Sequence, residues 1–251
     1  MSELPFFDCN CMIGRCSTPT PEMPFDVEEI VRELTYCDVE EALVFHALAK
    51  EYAPAVGNAQ LMNEIRDREN LHPCWVLMPH HTGEMPEPES VTEEMRREGV
   101  RAARMFPALS LQNFGLDEWA CGPLFRALEM HRIPLFLELE QTNWEELHSL
   151  CDRYPDLPVV LCNVTYRIAR RVYPLLEKCE HLYVELSGYL GHRAIEAVCR
   201  RFGAGRLLFG TRMPFFTPAP PTMLVRYADI SDEERRQIAG GNLRKLLGLV
   251  G

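Results

Sequence analysis

The sequence has 251 residues, of which 47% are hydrophobic and 25% charged, and its formal net charge is −11. This composition is that of an ordinary globular protein with one large α/β domain or two small ones. The acidic balance argues against a nucleic-acid or membrane partner, and no apolar stretch approaches the ~20 residues of a membrane span.

Ten cysteines are scattered along the chain, most of them in apolar stretches. Scattered spacing in a chain of this length predicts reduced, buried thiols in a cytoplasmic protein. Cys9, Cys11 and Cys16 lie close together, but no C-x-x-C pair elsewhere completes a zinc site with them. The N-terminus has no basic region before its short apolar run, so we expect no secretory signal.

Eight short apolar runs alternate with amphipathic helical stretches. The runs are nearly continuous in apolar content, as expected for parallel strands covered on both faces. They span residues 4–8, 41–47, 72–79, 100–106, 133–140, 157–163, 182–187 and 206–211. The helical stretches span residues 26–37, 57–68, 88–99, 122–132, 143–155, 168–179, 192–203 and 231–249.

This alternation predicts a single-domain (β/α)₈ barrel over residues 1–251. A doubly wound open sheet stays open as the alternative, because periodicity alone does not distinguish the two. The proline-rich segments 16–25 and 217–223 are predicted loops after the first and eighth strands.

Polar residues stand at the ends of the predicted strands, and in a parallel barrel these ends face the pocket. In chain order they are Asp8, Asn10, His46, His80, His81, Arg104, Glu138, Glu140, Asn163, Glu185, Ser187, Thr211 and Arg212. Because buried charges otherwise cost free energy, a set of this size predicts a ligand site. The alternative is that these polar groups satisfy one another.

Five segments, in the correct order, resemble the amidohydrolase superfamily, specifically its amidohydrolase-related group of metal-dependent hydrolases and decarboxylases. "FDCNCMIG" has the frame of the first-strand motif D-x-H-x-H-x-G. "RLLFGTRMPF" is similar to the eighth-strand motif F-G-[ST]-D-x-P. The other matches are "RIPLFLELEQ", "YPDLPVVLCNVTYR" and "GGNLRKLLGL", which resemble the fifth-strand, sixth-strand and terminal-helix segments.

The resemblance implies zinc, but the ligand positions differ. Asn10, Met12, Glu138 and Asn163 stand where the family has histidines, and Arg212 stands where it has an aspartate. Asn and Met are poor zinc ligands, and Arg is neither a ligand nor a base. We therefore expect no metal and no cofactor, and we expect Arg212 to supply positive charge by pairing with Glu138.

The resemblance and the strand ends lead to three functional hypotheses. The first is a hydrolase or lyase that acts on a small carboxylate or carbonyl compound without the family's metal. Its predicted catalytic residues are His46, His80, Glu138 and Arg212. Its predicted substrate-binding residues are Asp8, Asn10, Arg104, Glu140, Asn163 and Glu185.

The second hypothesis is a non-catalytic pseudoenzyme that binds a small molecule or joins a complex. The third is a metal site rebuilt from His46, His80 and His81 together with Glu138, Glu140 or Glu185. The expected partner is a small, anionic molecule rather than nucleic acid or membrane, and a homo-oligomer stays open.

Overall fold

Eight parallel strands lie side by side in chain order in the computed structural model, which describes residues 4–249. They are β1 (Phe6–Ile13), β2 (Val39–His46), β3 (Leu71–Val76), β4 (Ala102–Met105), β5 (Leu135–Glu138), β6 (Val159–Cys162), β7 (Leu182–Glu185) and β8 (Leu207–Leu208). This order confirms the predicted (β/α)₈ barrel and excludes the open sheet. The predicted domain limits, residues 1 and 251, lie outside the described residues.

The sheet closes where β1 meets the segment that follows β8. Cys9 N donates to Phe209 O at 3.0 Å, and Met12 N donates to Met213 O at 2.8 Å. These bonds give β1 a neighbour on its second side. The C-terminal ends of all eight strands therefore surround one opening, which we call the mouth of the barrel.

Helices follow the strands around the outside. They are α1 (Val27–Tyr36), α2 (Ala47–Glu51), α3 (Pro54–Glu64), α4 (Pro88–Arg97), α5 (Glu118–Met130), α6 (Trp144–Arg153), α7 (Ala169–Lys178), α8 (Ala194–Phe202), α9 (Ala219–Tyr227), α10 (Asp232–Arg236) and α11 (Asn242–Leu246). None of the helices within residues 4–249 is long and apolar enough to cross a membrane.

Several predicted boundaries are wrong. β1 continues to Ile13 instead of ending at Asp8. The predicted loop 217–223 contains the start of α9. Prolines are tolerated there because the N–H groups in the first turn of a helix have no partner within the helix, so their loss breaks no hydrogen bond. The predicted helix 231–249 divides at a π-helical turn, Gln237–Gly241, which separates α10 from α11.

Two apolar layers form the core. One packs between the strands and the surrounding helices, where α1 contributes Ile30 and Leu34. The other fills the barrel, and its members from the strands and their ends include Phe7, Cys9, Met12, Leu43, Phe45, Cys74, Val76, Ala102, Phe106, Phe136, Val160, Cys162 and Leu208. Any charged group inside the barrel is therefore surrounded by hydrocarbon, aromatic rings and thiols.

Candidate active site

Arg104 is a buried cation inside the barrel. It lies on β4 and is 1% exposed. Its guanidinium carbon is 4.4 Å from the ring centroid of Phe45, 5.5 Å from that of Phe136 and 5.8 Å from that of Phe106. Nε has no hydrogen-bond partner among residues 4–249, and no ion pair joins the side chain to a described carboxylate. Aromatic faces thus carry much of the stabilisation of this charge.

Asn10 connects this cation to two carboxylates. Its Oδ1 accepts a hydrogen bond from Arg104 Nη1 at 2.8 Å, and its Nδ2 donates to Glu185 Oε2 at 3.2 Å. Its backbone N donates to Asp8 Oδ1 at 2.8 Å. One amide therefore bonds charged groups of opposite sign, and Met or Ala at this position would remove a hydrogen bond from each.

Glu185 is fully buried at the end of β7. It accepts hydrogen bonds from the backbone N of Asn163 and from both N and Oγ of Ser187. Burial raises the pKa of Glu185, and these hydrogen bonds oppose the rise. A Cβ at Gly210 would lie 2.2 Å from Glu185 Oε1, so this carboxylate needs a glycine beside it.

Asp8 is fully buried on β1 and is held by Thr211, whose backbone N donates to Oδ1 at 2.9 Å and whose hydroxyl donates to Oδ2. Burial raises the pKa of Asp8 to about 6. Asp8, Asn10 and Glu185 are thus joined by hydrogen bonds beneath the mouth. This arrangement matches the alternative in which the polar groups at the strand ends satisfy one another rather than a ligand. Their substrate-binding role stays a prediction.

We expect Asp8 to make the stability of the protein depend on pH. Its folded pKa, about 6, exceeds the ordinary 3.8, so the folded chain holds this proton more tightly. The stabilising contribution is therefore complete below about pH 4 and is lost as the pH rises through 6. The loss is on the order of 3 kcal/mol.

Urea unfolding of the wild type and Asp8→Asn measures this contribution as a difference in free energy of unfolding. That difference should fall by this order between about pH 4 and pH 6.5. The exposed Asp67→Asn is the matched control, and its difference should stay constant. A constant difference for Asp8→Asn as well would contradict the expectation.

Lys50, which the sequence analysis missed, lies at the mouth. It belongs to α2, the short helix that directly follows β2. Its Nζ is 5.2 Å from the ring centroid of Phe106 and 5.1 Å from that of Phe215. Burial lowers the pKa of Lys50. No ion pair joins Lys50 to an Asp or Glu in the described part of the chain.

The expected pair between Arg212 and Glu138 is not formed. Glu138 ends β5 and accepts a hydrogen bond from Gln141 Nε2 at 2.7 Å. The Arg212 guanidinium instead lies 5.3 Å from the ring centroid of Phe216. Arg212 has a φ of 60°, which is uncommon for a residue other than glycine.

Asn163, which follows β6, is buried with neither amide atom bonded. It is 3% exposed, and both Oδ1 and Nδ2 lack hydrogen-bond partners within residues 4–249. Such an amide is costly in the interior unless a ligand or water satisfies it. Among the predicted site residues, Asn163 therefore gives the most direct indication of a hydrogen-bonding ligand.

His46 is the last residue of β2, and its ring is already engaged. Nδ1 accepts from Leu48 N at 3.0 Å, which caps α2, and Nε2 lies 3.5 Å from Glu64. A Cβ at Gly14 would approach the ring to 2.5 Å. This geometry favours a structural role, and the catalytic role of His46 stays a prediction.

His80 and His81 stack on each other with ring centroids 4.3 Å apart, and His80 Nε2 lies 3.1 Å from Glu87. Glu140 is exposed in the 3₁₀ turn Leu139–Gln141. No three His, Cys, Asp or Glu side chains between residues 4 and 249 are grouped to hold a metal ion. The described residues therefore do not form the metal site that was predicted from His46, His80 and His81.

Solved structures share this fold across nearly the whole chain. An uncharacterised TIM-barrel protein from Bordetella bronchiseptica is 17% identical, with a TM-score of 0.77 over 98% of this chain and 99% of its own. A 2,6-dihydroxybenzoate decarboxylase complexed with 2,6-dihydroxybenzoate is 15% identical, with a TM-score of 0.76 over 98% of this chain and 99% of its own. At these low sequence identities, the structural similarity establishes a shared fold and nothing more.

A 5-carboxyvanillate decarboxylase from Novosphingobium aromaticivorans is 13% identical, with a TM-score of 0.76 over 98% of this chain and 96% of its own. That structure contains manganese and 4-hydroxy-3-methoxy-5-nitrobenzoic acid. The prediction that the protein uses no cofactor is therefore wrong, because structures with this barrel bind a metal.

A family comparison covers most of the chain. No curated protein matches it. The model of the amidohydrolase family, however, matches residues 71–249, which include the predicted fifth-, sixth- and eighth-strand motifs and the terminal helix. The chain therefore belongs to the amidohydrolase family.

Proposed function

We propose that this protein is an enzyme that binds a small organic carboxylate at the mouth and acts on it as a hydrolase or carbon–carbon lyase. The observation that carries this proposal is Lys50, a half-buried ammonium group with no carboxylate partner within residues 4–249. Partial burial of an unpaired cation costs free energy, and an incoming carboxylate would offset that cost.

The charges around Lys50 support an anionic ligand. Arg104 and Arg212 are near enough to lower the pKa of Lys50, whereas Glu138 and Glu51 raise it. With Lys50 itself, three cations and two anions therefore act on one another at this point of the mouth. A carboxylate bound between Lys50 and Arg212 would accept charge-assisted hydrogen bonds from both.

The aromatic rings favour an aromatic acid. Phe106 and Phe215 flank the Lys50 ammonium, and Phe216 lies under Arg212. A ring attached to the bound carboxylate would find apolar faces at the same place, which is a common design of small-ligand sites. The similar decarboxylase structures hold benzoates, which have this chemistry.

The chain's own residues then have distinct tasks. Lys50 and Arg212 bind and orient the acid group, and the orphaned Asn163 amide hydrogen-bonds a ring substituent. Glu138, oriented by Gln141, is the proposed proton carrier, because it lies at the strand ends beside these cations. In a decarboxylation it would deliver a proton to the ring carbon that loses carbon dioxide.

Manganese fits these residues poorly. No three of the His, Cys, Asp and Glu side chains in residues 4–249 are grouped for a metal, and Arg104 already donates to Asn10 Oδ1. The hard oxygen donors that remain near the strand ends are those of Glu138 and Asn163. No step is therefore derived through a metal, but every activity assay should include manganese.

Turnover tests the proposal directly. We expect purified protein with manganese chloride to release carbon dioxide or a hydrolysis product from at least one member of a panel of benzoates and their amides. Glu138→Gln should lower this activity by roughly 100-fold or more, as loss of a proton carrier does. If Glu138→Gln keeps full activity, the proposed proton carrier is wrong.

Two further assignments belong to this proposal. The ten free thiols support a cytoplasmic location, where thiols stay reduced. The family and the enzymes among the similar structures do not favour the non-catalytic alternative.

A further inference from the structure

Two thiols line one cavity at the end of the barrel opposite the mouth. Cys151 lies on α6, and Cys179 is the first residue after α7, shortly before β7 begins. A hydrogen-bonding interaction between the two thiols raises the pKa of Cys151 and lowers that of Cys179. Both residues are half-buried, and both line a cavity of about 240 Å³ that opens to solvent beside His181. A small reagent can therefore reach either sulfur.

Arg206 and Lys178 favour the Cys179 thiolate, whereas Asp152 opposes it. Arg206 Nη2 donates to the backbone O of Leu176 and of Cys179, which holds the guanidinium beside the thiol. The hydrogen bond with Cys151, aided by Arg206 and Lys178, lowers the pKa of Cys179 to about 7. The lowered pKa favours the thiolate of Cys179, which is the reactive form of a thiol.

We propose that Cys151 and Cys179 are a peroxide-reactive thiol pair that closes into a disulfide. The Cys179 thiolate attacks one oxygen of hydrogen peroxide, the O–O bond breaks, and Cys179 sulfenic acid and hydroxide form. The Cys151 sulfur then attacks the Cys179 sulfur, the S–O bond breaks, and the leaving hydroxide takes the Cys151 proton to form water. Two thiols are oxidised and one peroxide is reduced.

The other thiols in the described chain are poor competitors. Burial raises the pKa of Cys9, Cys11, Cys74, Cys121, Cys162 and Cys199. Burial also raises the pKa of Cys37, which is as accessible as the pair. Reaction should therefore concentrate at Cys179, since oxidation follows thiolate character and exposure together.

The experiment exposes the purified full-length protein to a small excess of hydrogen peroxide at neutral pH. Free thiols are counted after denaturation, and disulfides are mapped by mass spectrometry of non-reduced peptides. We expect the loss of two thiols, a cross-link between the peptides of Cys151 and Cys179, and full recovery on reduction. Consumption of no thiol, or a cross-link elsewhere, would overturn the proposal.

Serine variants separate the two roles. Cys151→Ser should form no cross-link and should accumulate a Cys179 sulfenic acid that dimedone traps. Cys179→Ser should react at least ~10-fold more slowly, because the low-pKa thiol is gone. Cys37→Ser is the matched control and should behave as wild type. Circular dichroism checks that Cys179→Ser is folded. If the folded variant loses thiols to peroxide as fast as the wild type does, the proposed thiol pair is also overturned.

Discussion

Replacing Lys50 with methionine is expected to weaken binding of a benzoate ligand by roughly 10–150-fold, the value of a hydrogen bond to a charged group. The melting temperature should change little, because methionine keeps the packing against Phe106 and Phe215. The loss of the cation–π contacts costs only about 0.5–1 kcal/mol, which removal of a desolvated charge offsets. Isothermal titration calorimetry and thermal melting measure the two quantities.

Lys245→Met is the matched control, because Lys245 is exposed on α11, away from the mouth. It should leave binding unchanged. Equal binding by Lys50→Met and Lys245→Met would contradict the role of Lys50. A large loss of stability in Lys50→Met would instead show that the ammonium supports the fold.

The second large effect is expected at Asn10. Asn10→Ala removes one hydrogen bond from Arg104 and one from Glu185, both charged and both buried. Each such bond contributes about 1.5–3 kcal/mol, so the free energy of unfolding should fall by roughly 3–6 kcal/mol. Urea unfolding followed by circular dichroism measures the loss.

Asn63→Ala serves as its control, since Asn63 is exposed and bonds only Arg66. It should stay within about 0.5 kcal/mol of wild type. Asn10→Asp should also destabilise, because a second carboxylate would face Glu185 in place of an amide donor. A loss below about 1 kcal/mol for Asn10→Ala would show that the bridge between Arg104 and Glu185 contributes little.

Much of the fold was predictable because its signals are local. Eight apolar runs alternating with amphipathic stretches specify parallel strands and covering helices, and the rule for strand ends placed Glu138, Asn163 and Arg212 at the mouth. The end of β1 was missed because polar Asp8 and Asn10 look like a loop, whereas their partners inside the barrel keep them in a strand.

The partners of the site residues were harder to predict, because side chains choose them in three dimensions. Glu138 bonds Gln141, three residues along the chain, rather than Arg212. Lys50 was missed because it lies one turn beyond the strand end, on a helix of five residues that the hydrophobic pattern did not reveal. Counting outward from His46 to the next charged residue would have found it.

The most direct measurement compares two ligands that differ only in the acid group: 2,6-dihydroxybenzoate and resorcinol, titrated calorimetrically into wild-type protein with manganese present. A mouth built for a carboxylate should bind the acid at one site per chain and resorcinol at least ~10-fold more weakly, because resorcinol offers Lys50 and Arg212 no anion. Equal affinity for the two ligands, or no binding of the acid at all, would contradict the account.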